Sequence, residues 1–421
     1  MNFHIITLGC KINQYETQAI TESLVRNGYS LLTEPESAEN IIINSCAVTS
    51  RAVRDLKKIC RRLGRICPQS RIIITGCAAQ VLEQELTSMD EVHSVIPQSK
   101  KTSLLSGLNL NSSSNSAGSD FYISDYFRAR AVVKVQDGCN HRCSYCIVPQ
   151  TRGNPVSRPK EVILKEIMGL LDKNFSEIIL GGINLRLYGQ DLSEPIDFWD
   201  LINYLRSHLP NPVQNRFRLR LSSLEPSELN TKALDTLSRD QLICPHLHIS
   251  LQSGSSEVLR KMNRSHYTPN DLLDFSRQLK SVWQVFAVGA DILVGFPGET
   301  SADFQKTREL VHELPLTYAH VFPYSPRPGT PAARFKGQIN QKEKKYRSAE
   351  LDAVIQDKKT DFIMKLCKLN ELELSMETPF KGMSQYYVEC RVKNSQKLKP
   401  RQMIKVKPLL VDQNKLIVQA I

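Results

Sequence analysis

The sequence predicts an α/β protein in three folded parts: an N-terminal doubly wound parallel sheet, a central partial (β/α)6 barrel and a small C-terminal β-barrel. Three observations predict it. Short β-branched apolar runs alternate with helical patterns near the N-terminus. The alternation resumes at Ala131 with six further strand candidates. From Glu377 onward only short strands are legible.

At 421 residues the chain exceeds the usual single-domain size, and 41% hydrophobic content is ample for several cores. No apolar run is long enough to span a bilayer, and the first ten residues lack the charged start and long apolar core of a signal peptide. No membrane association is therefore expected. The eleven cysteines form no short secreted framework, so a reducing cytoplasm with metal-bound thiolates is the expected setting. The net charge of +12 favours a polyanionic partner, most simply nucleic acid.

In the first part, three runs each end in a cysteine: Phe3 to Cys10, Ile41 to Cys46 and Arg71 to Cys77. Continuous β-branched runs of this length read as buried parallel strands. Helical patterns follow over 16–27 and 51–63. Ligands of doubly wound sheets sit beyond the carboxyl ends of the strands. Cys10, Cys46 and Cys77 occupy those ends, at intervals of 36 and 31 residues that fit no compact zinc motif. The pattern points to a three-thiolate site; three buried cysteines acting as small hydrophobes are the alternative. The helix after Cys46 carries Arg51, Arg54, Lys57, Lys58, Arg61, Arg62 and Arg65. Five of them, Arg51, Arg54, Lys58, Arg62 and Arg65, share one face, either solvated or in contact with phosphate.

A Ser-, Asn- and Gly-rich stretch over 102–120 reads as a flexible connector. The predicted divisions are 1–105, a linker over 106–128, the barrel over 129–366 and the terminal β-domain over 367–421.

Barrel strands are expected at 131–136, 177–184, 217–224, 246–253, 286–296 and 318–324, with helices between them, for example at 159–173, 226–239 and 301–314. Six strands are too few for a closed eight-stranded barrel, so an open one is expected, with its site at the carboxyl end of the strands. The first strand leads into Asp137-Gly-Cys-Asn-His-Arg-Cys-Ser-Tyr-Cys-Ile147, which places Cys139, Cys143 and Cys146 in a CxxxCxxC spacing. Soft thiolates select zinc, copper(I) or an iron–sulfur cluster. A structural zinc site needs four ligands, whereas a four-iron cluster on three cysteines keeps one iron open. A zinc knuckle or unligated thiols are the competing readings. Gly181 and Gly182 close the second strand with no side chain to obstruct a ligand. Ser222 and Gln252 end the third and fourth strands, as polar ligand contacts or as strand-end caps.

The tail is read as strands at 386–392, 403–406 and 415–418, with nine Lys or Arg against two acids from Lys381 onward. A small basic β-barrel suits RNA backbone contact, as in OB-type folds, or serves only to cap the barrel.

The CxxxCxxC segment resembles the radical S-adenosylmethionine (SAM) enzymes. Leu8-Gly-Cys-Lys-Ile-Asn-Gln-Tyr-Glu-Thr17, Asn44-Ser-Cys-Ala-Val-Thr49 and Thr75-Gly-Cys-Ala-Ala-Gln80 are similar to the amino-terminal domain of the methylthiotransferases. Gly289 to Glu299 resembles the fifth-strand motif beside the SAM adenine, Phe322 to Ala333 the sixth-strand segment, and the tail a TRAM domain. The resemblance implies two [4Fe-4S] clusters, one on Cys139, Cys143 and Cys146 that cleaves SAM, the other on Cys10, Cys46 and Cys77 that supplies sulfur. It also implies SAM contacts at Tyr145, Gly181 and Gly182. Gly-Cys-Lys-Ile-Asn-Gln-Tyr-Glu-Thr resembles most the branch acting on N6-threonylcarbamoyladenosine in tRNA, beside the anticodon. The implied product is a methylthio group on C2 of that adenine, and the implied partners are the tRNA anticodon loop, a reducing electron-transfer protein and an unidentified sulfur donor. The alternatives are isopentenyladenosine tRNA as substrate, or a non-catalytic cluster protein that binds RNA or senses redox state.

Overall fold

A computed structural model of the chain describes residues 1–108, 121–239, 241–393 and 398–421. The chain divides into two compact units. The first gathers Met1–Tyr126, Asp137–Val156 and Ser325–Ala333; the second gathers Phe127–Gln136, Ser157–Tyr324 and Arg334–Ile421.

The first unit is built on β1 (Asn2–Thr7), β2 (Ser30–Leu31), β3 (Asn40–Ser45), β4 (Arg71–Gly76) and β5 (Ser94–Pro97), all parallel, in the order β2-β1-β3-β4-β5. β3 and β4 were legible because Ile41–Ile43 and Ile72–Ile74 are buried on both faces, whereas β1 buries only Phe3 fully. β2 and β5 were not anticipated, being only two and four residues long. The helix expected from Glu16 begins earlier, as α1 (Lys11–Arg26). Cys10 is extended and the chain turns straight into the helix, which buries Ile12, Tyr15, Ala19, Ile20 and Leu24. α2 (Ser50–Ile66) is capped by Thr49, whose side chain accepts from the Ala52 N–H, and packs Leu56, Cys60 and Leu63 into the core. The centre of the predicted linker, 112–119, lies outside the described residues.

The second unit holds the barrel strands β6 (Ala131–Lys134), β7 (Glu177–Gly181), β8 (Arg218–Leu221), β9 (Ser223–Leu224), β10 (His246–Gln252), β11 (Ala287–Val294) and β12 (Leu316–Pro323). They form two parallel sheets, β8-β7-β6 and β9-β10-β11-β12, and an isolated parallel bridge joins Leu219 of β8 to Ile243, just before β10. β6 and β12 do not pair with each other among the described residues, so the barrel is open, as expected. The helix expected at 226–239 is a 3-10 turn followed by Thr231–Ser238, because Asn230 caps the Ala233 N–H and restarts the helix.

After a 27-residue helix, Gln341–Cys367, the chain forms a closed antiparallel-rich barrel. Its strands are β13 (Leu372–Thr378), β14 (Lys381–Ser384), β15 (Glu389–Lys393), β16 (Met403–Asp412) and β17 (Lys415–Ala420), in the order β13-β14-β15-β17-β16. Closure leaves no exposed strand edge. A buried ionic knot fixes this barrel to the strands before it. Glu177 accepts from Arg220 at 2.7 and 2.9 Å and from Arg218 at 2.8 Å. The same two guanidinium groups donate to the carbonyls of Glu373, Met383, Ser384 and Gln385.

Candidate cluster and cofactor site

The topological switch of the first sheet lies between β1 and β3, where the strand order reverses. Cys10 follows β1, Cys46 follows β3 and Cys77 follows β4. Two glycines make these turns possible. Gly9 has φ +110°, and a Cβ there would stand 2.8 Å from Cys46 Cβ and 3.1 Å from its sulfur. Gly76 has φ +95°, and a Cβ would stand 2.4 Å from the Ser45 carbonyl oxygen. Any other residue at either position would push a cysteine loop out of place.

Cys46 lies within electrostatic reach of both Cys10 and Cys77. Burial raises the Cys46 thiol above its ordinary pKa, and Cys77 and Cys10 add to that push, while the Val48 backbone N–H opposes it. No trio of His, Cys, Asp or Glu among the described residues is spaced to chelate a single bare ion. An iron–sulfur cluster takes its thiolates on separate irons, so its ligands stand further apart. All eleven cysteines lie among the described residues, and none is in a disulfide.

Under these loops runs a polar network that sequence reasoning missed. Asn13 donates to the carbonyls of Leu8 and Ser45 at 2.8 and 2.9 Å, tying the Cys10 loop to the Cys46 loop. Asn44 donates to the Asn13 carbonyl at 2.9 Å and accepts from Lys101 at 3.0 Å. Glu16, fully buried, accepts from Lys101 at 2.6 Å and from Arg152 at 2.9 Å. Arg152 also donates to Asn13 Oδ1 at 2.5 Å and to Asp137 at 2.8 Å. Burial works against its charge, yet Asp137 and Glu16 hold the guanidinium well above its usual range. Burial lowers Lys101, against the raising effect of Glu16. Asn13 and Glu16 lie inside the Leu8–Thr17 motif, but no sequence spacing links either to Lys101 or Arg152.

The CxxxCxxC loop belongs to the same unit. Asp137 accepts from the Gly138 N–H at 2.8 Å, and the Cys139 N–H donates to the Gly153 carbonyl at 2.9 Å. The Cys146 N–H donates to the Cys143 carbonyl at 3.0 Å, and the Val148 N–H points at the Cys146 sulfur at 3.4 Å. The short helix Val148–Arg152 then returns Arg152 to the network. Cys139 is buried, whereas Cys143, Tyr145 and Cys146 are partly exposed. In the same unit, Arg327 is buried, donates to Ser50 at 3.1 Å and is influenced by Cys46.

The remaining site candidates lie in the second unit, each at the carboxyl end of a barrel strand. Gly181 ends β7, and Gly182 follows it; a Cβ on Gly182 would stand 2.8 Å from Leu185 and 3.2 Å from Gln136 Oε1. That oxygen accepts from the Ile183 and Asn184 N–H groups at 3.1 and 2.9 Å, which fixes the loop. Ser222 follows β8, and its Oγ is buried with no hydrogen-bond partner among the described residues. Gln252 ends β10 at a register shift, with φ +59°, a strained conformation for a side-chain-bearing residue. A buried hydroxyl without a partner, a glycine cradle and a strained polar residue at adjacent strand ends suit a polar cofactor such as SAM.

The sequence matches two family descriptions, "Uncharacterized protein family UPF0004" over residues 2–97 and "Radical SAM superfamily" over residues 133–311. It is 34% identical to the threonylcarbamoyladenosine tRNA methylthiotransferase MtaB of Thermotoga maritima over 91% of this chain and 90% of that one. It is 35% identical to the Bacillus subtilis protein of the same name, over 84% and 79%. A Clostridium botulinum protein named tRNA-2-methylthio-N(6)-dimethylallyladenosine synthase is 33% identical, over 84% and 81%. In fold, the radical SAM methyltransferase TsrM of Kitasatospora setae, solved with cobalamin and a [4Fe-4S] cluster, is similar at TM-score 0.55 and 13% identity, over 79% of this chain and 77% of that one. An N-terminal parallel sheet with three strand-end cysteines, a CxxxCxxC loop beside it and these relatives agree: the chain belongs to the radical SAM methylthiotransferases, in the branch of the MtaB proteins.

Proposed function

We propose that this enzyme places a methylthio group on C2 of N6-threonylcarbamoyladenosine at position 37 of tRNA, using SAM and two [4Fe-4S] clusters. One observation carries the reading: the thiols of Cys10, Cys46 and Cys77 converge in the same compact unit that holds Cys139, Cys143 and Cys146. Radical SAM family membership supports SAM and one four-iron cluster; the second cluster rests on the strand-end thiols. When bound, these groups supply one-electron cleavage of SAM and the sulfur to be inserted.

The chain's own residues do the rest. Cys139, Cys143 and Cys146 hold one cluster, and Cys10, Cys46 and Cys77 hold the other. Tyr145, Gly181, Gly182, Ser222 and Gln252 seat SAM, the glycines by allowing close backbone approach and Ser222 by its unused hydroxyl. Asn13, Glu16, Lys101 and Arg152 hold the cysteine loops in register. The exposed cations Arg391, Lys393, Lys399 and Lys407 of the terminal β-barrel suit RNA phosphates. The divisions 1–105, 106–128, 129–366 and 367–421 correspond to the cluster domain, linker, radical SAM barrel and RNA-binding β-domain. An unpaired anticodon loop offers its purine without a helix having to melt.

The threonylcarbamoyl substrate is supported by the names of the Thermotoga and Bacillus relatives and by the Gly-Cys-Lys-Ile-Asn start. No helix among the described residues is long and apolar enough to cross a membrane, and a tRNA substrate would place the enzyme in the cytoplasm. A reducing electron-transfer protein and a separate sulfur donor complete the proposed partners. The test is mass spectrometry of nucleosides from total tRNA with and without the protein. A methylthio adduct of threonylcarbamoyladenosine is expected; an adduct of isopentenyladenosine alone transfers the assignment to that substrate, and no adduct at all refutes the reaction.

A further inference from the structure

α2 presents a ridge of positive charge to solvent that none of the chemistry above uses. Its side chains lie 100° apart per residue, so Arg51, Arg54, Lys58, Arg61, Arg62 and Arg65 fall within an arc of about 100°. All six are exposed, and the opposite face, Leu56, Cys60 and Leu63, is buried in the core of the first unit. The helix therefore cannot roll to hide its charge. Within the helix the only acid is Asp55, at the edge of the arc and 3.6 Å from Arg51. Lys57, off the ridge, pairs with Glu85. Arg54, Lys58, Arg61, Arg62 and Arg65 make no ion pair among the described residues.

The position of the ridge narrows its partner. α2 starts four residues after Cys46, and Ser50 in its first turn is held by Ser325 at 3.2 Å and Arg327 at 3.1 Å. The ridge thus begins beside the strand-end thiols and runs away from them for about 21 Å, at 1.5 Å per residue from Arg51 to Arg65. Five of its six cations are arginines, whose planar fork matches phosphate oxygens.

We infer that this face of α2 is an RNA-backbone track, which binds the phosphates of the tRNA strand leading away from the modified base. The inference rests on the tRNA reading above and adds to it a docking surface in the cluster-bearing unit, separate from the terminal β-barrel. An extended polyanion tethered at the cluster end is the ligand that a long ridge with five of its six cations unpaired among the described residues fits.

The test compares two triple variants of the reconstituted full-length enzyme, R54Q/K58Q/R62Q and, as a control, K165Q/K280Q/K342Q on exposed positions of the second unit. Binding of purified tRNA carrying threonylcarbamoyladenosine is measured against salt, with iron content and circular dichroism as checks of folding. Each lost contact to a single strand removes about 0.7 from the slope of log K against log salt, so the ridge variant is expected to lose about 2. Its Kd at about 0.1 M salt is expected to rise tenfold or more, while the control stays within about twofold of wild type. Wild-type-like binding and slope in the ridge variant, or equal losses in both triples, overturn the inference and leave the methylthiotransfer reading standing. Intact tRNA binding with slower reduction by an acidic flavoprotein overturns it in favour of an electron-donor site. Failure of the wild type to bind tRNA overturns both.

Discussion

Replacing Arg152 with methionine removes a buried side chain that bonds α1 to the CxxxCxxC loop. Arg152 is 1% exposed and makes charge-assisted bonds to Glu16, Asp137 and Asn13. Removing one partner of a buried ion pair costs about 3–5 kcal/mol, because the remaining charge is left uncompensated. Glu16 keeps Lys101 at 2.6 Å, and Asp137 is 22% exposed, so the cost belongs near the lower end, ~3 kcal/mol. Both tryptophans, Trp199 and Trp283, lie in the second unit, so fluorescence would miss the event. Native-state hydrogen exchange reads it directly, since at 1.4 kcal/mol per decade the loss accelerates exchange of protected α1 amides about 100-fold. Protected amides of β10 and β11 serve as the internal reference and should be unchanged. Arg152→Lys keeps the charge but loses the planar fork, and should fall between the two. Exchange in α1 within threefold of wild type would show that the network does not hold the cysteine loops together.

Three further outcomes are expected. Cys143→Ala should abolish both SAM cleavage and methylthiolation, whereas Cys46→Ala should lose only methylthiolation; product analysis and assay of 5′-deoxyadenosine under dithionite separate them. Burial pushes the Glu228 carboxyl up to about 8, so the folded chain keeps a proton that the unfolded chain releases near its ordinary 4.5. Stability therefore falls as pH rises through that window, by ~4–5 kcal/mol at most, and Glu228→Gln should flatten the fall. Trp199 donates to the Glu228 carbonyl at 3.0 Å, which makes tryptophan fluorescence during urea unfolding a suitable probe. Glu177→Gln should cost ~3–5 kcal/mol by leaving Arg218 and Arg220 without their buried counterion, seen as a lower urea midpoint and faster proteolysis at the terminal β-barrel.

Much of this architecture could be read in the residues because periodicity reports burial. The isoleucine runs of β3 and β4 and the strand–helix rhythm after Ala131 identify parallel strands directly. The cysteine sets were legible because a parallel sheet sends its carboxyl ends to one side, whatever the sequence separation. Short strands escaped: Lys381–Ser384 carries no alternating pattern, and β2 is exposed. The early start of α1 escaped because Cys10, unlike Thr49, does not cap with its side chain. Long-range polar partners escaped altogether. Lys101 and Glu16 are 85 residues apart, and Arg152 and Glu16 are 136 apart, so only the folded chain reveals that their charges cancel.

Iron and acid-labile sulfide per chain, measured after anaerobic reconstitution, test the proposal of two clusters most directly. Two four-iron clusters give about eight iron atoms in the wild type and about four when Cys10, Cys46 and Cys77 are all alanine. A wild type that saturates near four, with the triple variant unchanged, would contradict a cluster on the strand-end thiols.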